Sequence, residues 1–375
     1  MRTSLSSTLL VAVILVSTTL ASSNLSITNS GAVSNSNGAF GRWFDYVVVI
    51  MLENHSINYT YGISVPPNSW NSTKGGTCLG NCTYFKSVAD ANSLAEGYTN
   101  TGVTDGSAGD YIAITSGNGT TPGSCNSGIF PYEINGCSPM QIPNIVDRLD
   151  PAHLSWKAYM EGCPGQCGGG PTGCANIDAF DGGTNYGPNH NPFIYYSDIQ
   201  NNLTRCANIV SANSQPVSQN TCGPTPVVND DLFINDLNSV SNASNYMFLT
   251  PNQIDDVHNC NDVTVGNDWL NKLVPQILNS TLFRTKRAAL FITFDEPGCT
   301  NPPGQTSCPS AAPDLYSVWA SNSTNPQSKT KVGFKSNLNY THFSALKTIE
   351  NNWGLMPLVA STDGSANDMQ EFFRT

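Results

Sequence analysis

The chain has 375 residues, 39% of them hydrophobic, enough to bury a sizeable core, which excludes a disordered chain, a collagen-like repeat and a minimal disulfide scaffold. Charged residues make up only 11%, and 16 Lys+Arg against 27 Asp+Glu leave a net charge of -11. That balance argues against nucleic-acid binding through a basic face.

The first segment has the pattern of a targeting signal. Arg2 supplies a positive start, Leu9–Val16 is a short apolar run, and Thr19-Leu20-Ala21 ends in a small residue. Eight apolar residues are too few to span a bilayer, which needs about 20. Residues 1–21 are therefore expected to be a signal peptide and 22–40 a polar Ser/Asn linker. Residues 41–375 are expected to form a single domain, with no transmembrane anchor once the signal is cleaved. The expected location is secreted.

Cysteine and asparagine agree with that address. The 12 Cys, an even number, allow up to six disulfides in an oxidising compartment. A zinc site is the weaker reading of Cys78/Cys82 and Cys163/Cys167, whose neighbourhoods are Gly-rich and lack a nearby His. N-glycan acceptor sequences occur at Asn24, Asn54, Asn58, Asn71, Asn81, Asn118, Asn202, Asn242, Asn279, Asn322 and Asn339. Asn54 and Asn339 fall inside motifs given below, and glycans are not expected there.

Along the chain, Val47–Leu52 is the first continuous apolar run, and it ends at Glu53-Asn54. Short helical patterns follow at Asp110–Ser116 and Ile142–Leu149. Tyr246–Thr250 ends at Pro251, just before Asp255-Asp256. A longer helix is predicted over Trp269–Leu278. Ala288–Phe294 ends at Asp295-Glu296, and a last helix is predicted over Phe343–Trp353. Continuous apolar runs mean strands covered on both faces, and their alternation with helices argues for a mostly parallel α/β sheet with helices on both faces. The Gly/Pro/Cys-rich stretches 117–140, 161–192 and 297–329 read as disulfide-held loops capping the carboxyl edge of the strands. Ligands of such sheets bind at that edge. Carboxylates gathered there repel unless something neutralises them, and a divalent cation is the expected answer, one ion with two as the alternative.

Seven segments, in order, resemble those of a known family. They are Val47–Asn54 with Ser56, Ser107–Gly117 (SAGDYIAITSG), Leu154–Glu161 (LSWKAYME), His190–Phe193 (HNPF), Pro251-Asn252 with Asp255–His258, Phe291–Glu296 (FITFDE) and Tyr340–Ser344 (YTHFS). Over residues 44–355 the chain is similar to the secreted phosphoesterase family of acid phosphatases and bacterial phospholipases C, within the alkaline-phosphatase-like superfamily. The resemblance implies that fold, with Ser107 as the nucleophile at a helix N-terminus and Thr104 as the fallback. It implies Glu53, Asn54, Ser107, Asp256, Asp295 and Glu296 as metal ligands. His190, His258 and His342 either contact the phosphate or complete a second metal site. One departure stands out: the family's Asn three residues after the nucleophile is Asp110 here. An ionised Asp cannot donate to a phosphate oxygen, so Asp110 either works protonated or weakens phosphate binding.

The implied function is an acid phosphatase that hydrolyses monoesters through a phosphoserine intermediate. A small phosphate ester is the expected partner. The alternative is a phospholipase C that takes a phospholipid head group, with Tyr195, Tyr196, Trp70 and Trp156 available to surround a quaternary ammonium. The chain is short for such a phospholipase, which favours the phosphatase. A non-catalytic binding protein on the same fold is the second alternative.

Overall fold

The computed structural model describes residues 40–61, 82–102, 107–118, 140–163, 174, 185–214, 230–259, 263–297 and 315–375. The expected signal peptide, nearly all of the linker, Trp70, Thr104 and most of the proposed capping loops lie outside these residues.

Eight strands form one sheet: β1 (Tyr46–Leu52), β2 (Ser93–Ala95), β3 (Trp156–Met160), β4 (Ile209–Ser211), β5 (Tyr246–Thr250), β6 (Ala288–Phe294), β7 (Ser317–Ala320) and β8 (Phe334–Ser336). Their order is β4-β3-β5-β1-β6-β7-β2-β8. Only β7 runs antiparallel to its neighbours, β6 and β2. Strand β1 lies at the centre, with Val49 opposite Phe248 of β5 and Phe291 of β6.

Val47, Val48, Val49, Ile50, Met51 and Leu52 are all fully buried. Successive side chains point to opposite faces, so burial without alternation means that both faces of the sheet are covered. Each such side chain stabilises the fold by roughly 1.5–3 kcal/mol as an upper estimate.

Among the described residues, five helices run for eight residues or more. They are α1 (Thr83–Ala91), α2 (Ser107–Ser116), α3 (Asp231–Asn238), α4 (Thr264–Leu278) and α5 (His342–Trp353). Helix α2 packs against α5, and α1 against α4. At the start of α5, Ser344 Oγ accepts the Thr341 N–H at 3.0 Å, and at its end Gly354 takes the left-handed conformation with φ 66°. These devices fix where α5 begins, and with it His342.

The sheet bears out the α/β reading, with β5 and β6 at their predicted bounds. Two corrections concern length and loops. Helices α2 and α4 begin earlier than the apolar pattern suggested, at Ser107 and Thr264. The stretch 297–329 holds β7, whose four residues are fully buried beside β6. Cys163 and Cys174 are joined by a disulfide, and Cys82 and Cys206 are also disulfide-bonded, so no described cysteine is free.

Candidate active site

Three strands deliver their polar ends to one point. Main-chain bonds tie those ends together: Glu53 N–H donates to Asp256 O at 2.9 Å, and Asp295 N–H to Leu52 O at 2.9 Å. Asn54 N–H donates to Asp295 Oδ1 at 2.8 Å. Asn54 takes φ 58° to make that bond, and Asn accepts the left-handed region more readily than most residues. The turn after β5 is more strained. Val257, between Asp256 and His258, has φ 71°. A β-branched residue there costs on the order of 1–3 kcal/mol, a strain typical of functional sites.

Glu53 is the hub and is fully buried. Its Oε2 accepts the Ser107 hydroxyl at 2.9 Å and the Asn54 amide at 3.0 Å. Its Oε1 faces His190 Nε2 at 3.2 Å, but neither atom has an aligned hydrogen bond. His190 Nδ1 lies 3.0 Å from Asp256 Oδ2 and donates to it, which leaves Nε2 carrying the lone pair. Asp256 Oδ1 accepts the His258 N–H at 2.7 Å. The ring of His258 stands 5.2 Å from that of His190, and Tyr111 stacks on His190 at 5.4 Å.

Burial dominates the electrostatics. Glu53 is pushed well above the usual carboxylate range by burial and by the charges of Asp295 and Asp256. Asp256 is raised chiefly by burial. His190 is held down to about 4 by burial, so it is neutral, and burial also lowers His258. Carboxyls pushed up beside histidines pushed down are short of positive charge. Glu53, His190 and His258 each offer one donor atom, all within 4.8 Å of one another. Glu53 Oε1 and His190 Nε2, both without a hydrogen-bond partner, lie 3.2 Å apart. These residues fit a divalent cation held by one carboxylate and two imidazoles.

The other end of the site is a second polar knot. His342 Nε2 donates to Asp295 O at 2.6 Å, and its Nδ1 lies 3.0 Å from the Tyr98 hydroxyl. With both ring nitrogens engaged, His342 braces the turn after β6. The resemblance implies a phosphate or metal contact for the same ring. Asp110 Oδ1 accepts the Thr101 hydroxyl at 3.0 Å and lies 3.5 Å from His342 Nε2. Its Oδ2 is buried and unpartnered. Burial, then Asp295 and Glu296, push the Asp110 carboxyl well above its ordinary value.

The structure thus brings Glu53, Asn54, Ser107, His190, Asp256, His258 and Asp295 together. It sets Asp110 and His342 beside them, with Glu296 half-buried next to Asp295. Asp256 spends both oxygens on His190 and the His258 backbone, so it stands behind the cation set. Sequence reasoning missed Tyr98, Thr101 and the stacking of Tyr111, because a lone Tyr or Thr carries no spacing signal. Tyr195, Tyr196 and Trp156 are buried in the core, Trp156 stacking on Phe193 and the Tyr196 hydroxyl bonding Thr115. They do not form an aromatic cage.

Comparisons with known proteins agree with the fold. The phosphoesterase family matches residues 79–356. A phosphate-repressible acid phosphatase of Penicillium chrysogenum is 26% identical over 231 residues, 61% of this chain and 46% of the relative. An acid phosphatase of Aspergillus niger is 27% identical over 229 residues, again 61% and 46%. The chain spans about half the length of the curated relatives it matches. Among solved structures, a protein of the alkaline phosphatase superfamily from Vibrio parahaemolyticus superposes with a TM-score of 0.51 at 10% identity, covering 85% of this chain and 68% of that one. That likeness concerns the fold alone. With the family match spanning most of its length, this chain belongs to the phosphoesterase family.

Proposed function

We propose that the chain is a metal-dependent acid phosphatase that hydrolyses phosphate monoesters through a phosphoserine intermediate. The observation that carries this reading is the Ser107 hydroxyl at the head of α2, 2.9 Å from Glu53 Oε2 in the buried carboxylate–histidine set. The acid phosphatase relatives support it.

Glu53, His190 and His258 would hold the cation, with Asn54, Asp295 and Glu296 beside them. Bound there, it would lower the Ser107 hydroxyl pKa and neutralise charge on the phosphoryl oxygens. Asp256 fixes the His190 tautomer so that Nε2 points inward. With Glu53 ionised beside the bound cation, Ser107 gives its proton to Glu53 Oε2 and attacks phosphorus in line. The leaving alkoxide departs opposite Ser107 and takes a proton from solvent. Water then cleaves the phosphoseryl ester, and Ser107 recovers its proton from Glu53. The N–H groups at the head of α2 favour the phosphoryl charge. Asp110 lies three residues on in the same helix. Protonated, it donates through Oδ2 to a phosphoryl oxygen, the part played by an amide in the resembling family.

Secretion belongs to the same proposal. Its support is the Leu9–Val16 run and the bonded state of every described cysteine. Asn202, Asn242 and Asn279 are exposed acceptors for glycans, whereas Asn54 and Asn322 are buried.

The deciding experiment compares p-nitrophenyl phosphate with p-nitrophenyl phosphorylcholine from about pH 2 to 8, with and without chelator. Monoester turnover that chelator abolishes, with covalent phosphate trapped on Ser107, is the expected result. Preference for the choline diester moves the activity to phospholipase C, and full activity in Ser107→Ala overturns the mechanism.

A further inference from the structure

The two histidines of the cation set are held in different ways. Asp256, a buried carboxylate, takes His190 Nδ1. His258 Nδ1 instead lies 2.9 Å from Oδ1 of its chain neighbour Asn259. Asn259 is anchored twice to Gln253: its N–H donates to Gln253 O at 2.8 Å, and its amide to Gln253 Oε1 at 3.1 Å. Gln253 is buried, and its own N–H donates to Asn185 O at 2.9 Å.

The turn after β5 is thus closed on itself. Within it, Asp256 N–H donates to Asn252 O at 2.9 Å and Val257 N–H to Ile254 O at 3.1 Å. Gly266 of α4 leaves room for the strained Val257, because a Cβ there would stand only 3.0 Å from Val257 Cγ1. A turn held at so many points presents the Asn259 amide to the His258 ring in one place.

A neutral imidazole has one N–H and one lone pair. With the Asn259 NH₂ engaged by Gln253, Oδ1 is the atom that faces the ring. His258 Nδ1 then carries the hydrogen and Nε2 the lone pair that a cation needs. Reversing the whole chain of bonds, with Gln253 donating to Asn259 and Asn259 to Nδ1, would put the hydrogen on Nε2 instead. The acceptor is an amide and not a carboxylate, so it orients the ring without adding a charge beside Glu53, Asp256 and Asp295.

We propose that Asn259 is a positioning residue that sets the His258 tautomer, with Gln253 holding its amide in the accepting direction. The proposal rests on the reading of Glu53, His190 and His258 as a cation site, and not on which phosphate ester is cleaved.

The test has two readouts. Long-range proton–nitrogen NMR of the chelator-stripped full chain at neutral pH reports the His258 tautomer without metal. Nδ1–H is expected in the wild type, and Asn259→Ala should shift the ring toward Nε2–H, the form a free imidazole side chain prefers. Zn²⁺ affinity, measured by competition with a chromophoric chelator, should fall about 10–100-fold in the same variant. Asn259 is exposed, so its truncation should leave the fold intact. Asn259→Asp keeps the acceptor for Nδ1–H and loses the donor to Gln253. It should retain the wild-type tautomer and Zn²⁺ affinity. A loss in Asn259→Asp as large as in Asn259→Ala would make the strap to Gln253 the source of the effect and overturn the proposal. So would a wild-type tautomer and affinity in Asn259→Ala. A wild type that takes up no Zn²⁺ would remove the cation reading, and the proposal with it if the tautomer also ignores Asn259→Ala. Zn²⁺ uptake without ester hydrolysis would remove the phosphatase reading alone.

Discussion

His190 Nδ1 and Asp256 Oδ2 lie 3.0 Å apart with both side chains closed to solvent, so the carboxylate decides which histidine nitrogen carries the proton. That choice turns the His190 lone pair toward Glu53. Asp256→Asn should therefore lower affinity for the site metal by about 10–100-fold, the usual effect of removing the partner behind a metal-binding histidine. Competition against a chromophoric chelator measures it. Unchanged affinity would show that Asp256 does not orient His190.

Ser107→Ala should cost on the order of 10³-fold or more in turnover, because it removes the hydroxyl that Glu53 Oε2 holds at the head of α2. Metal content by mass spectrometry should stay near that of the wild type, since Glu53 and both histidines remain. Loss of metal together with activity would recast Ser107 as a ligand first and a nucleophile second.

Asp110 bears on the alkaline limit of the reaction. Its pKa is raised by burial and by Asp295 and Glu296. The proton it needs for donation is therefore present at low pH and lost as pH climbs through the raised value. Asp110→Asn cannot ionise, so the alkaline limb of kcat/KM should shift upward by about one pH unit or more. A pH–rate profile that superposes on the wild type would remove Asp110 from phosphate binding.

Glu350 and Asp363 form a buried acid pair away from the site. Leu358 N–H donates to Glu350 Oε1 at 3.1 Å and to Asp363 Oδ2 at 2.7 Å, which draws the two carboxyls together. Burial first and Asp363 second push Glu350 up to about 9. An acid whose folded pKa is raised contributes stability that is full below its unfolded value of about 4.5 and is lost as pH rises toward 9. Glu350→Gln should melt like the wild type near pH 4 and about 2 °C or more above it at pH 9. Equal melting curves at both pH values would show that the pair shares no proton.

The central part of this fold is legible in the sequence. Strands β1, β5 and β6 are continuous apolar runs; β1 and β6 lead directly into Glu53 and Asp295, and β5 leads into the turn that carries Asp256 and His258. Strands β2, β4, β7 and β8 span three or four residues, too few to carry a period, and tertiary pairing defines them. Of the candidate residues, Glu53, Ser107, His190 and Asp256 meet as the motifs suggest. The motifs imply substrate or metal contacts for Asp256 and His342; in the structure Asp256 bonds His190 and the His258 backbone, and His342 bonds Asp295 O and faces Tyr98. A motif conveys which residues gather; the direction of each ring nitrogen and carboxylate oxygen comes from burial and hydrogen-bond partners that no spacing encodes.

The position of β1 has a consequence for biogenesis. Val47–Leu52 leaves the ribosome early, yet its partners on either side are Tyr246–Thr250 and Ala288–Phe294. Until those segments are made, a β-branched apolar strand waits with both edges open, the feature that invites wrong pairing and aggregation. Closing the sheet also requires loops of roughly 200 residues, which slows folding. The yield of this protein should depend less on its final stability than on how well that first strand is sheltered while the rest of the chain is synthesised.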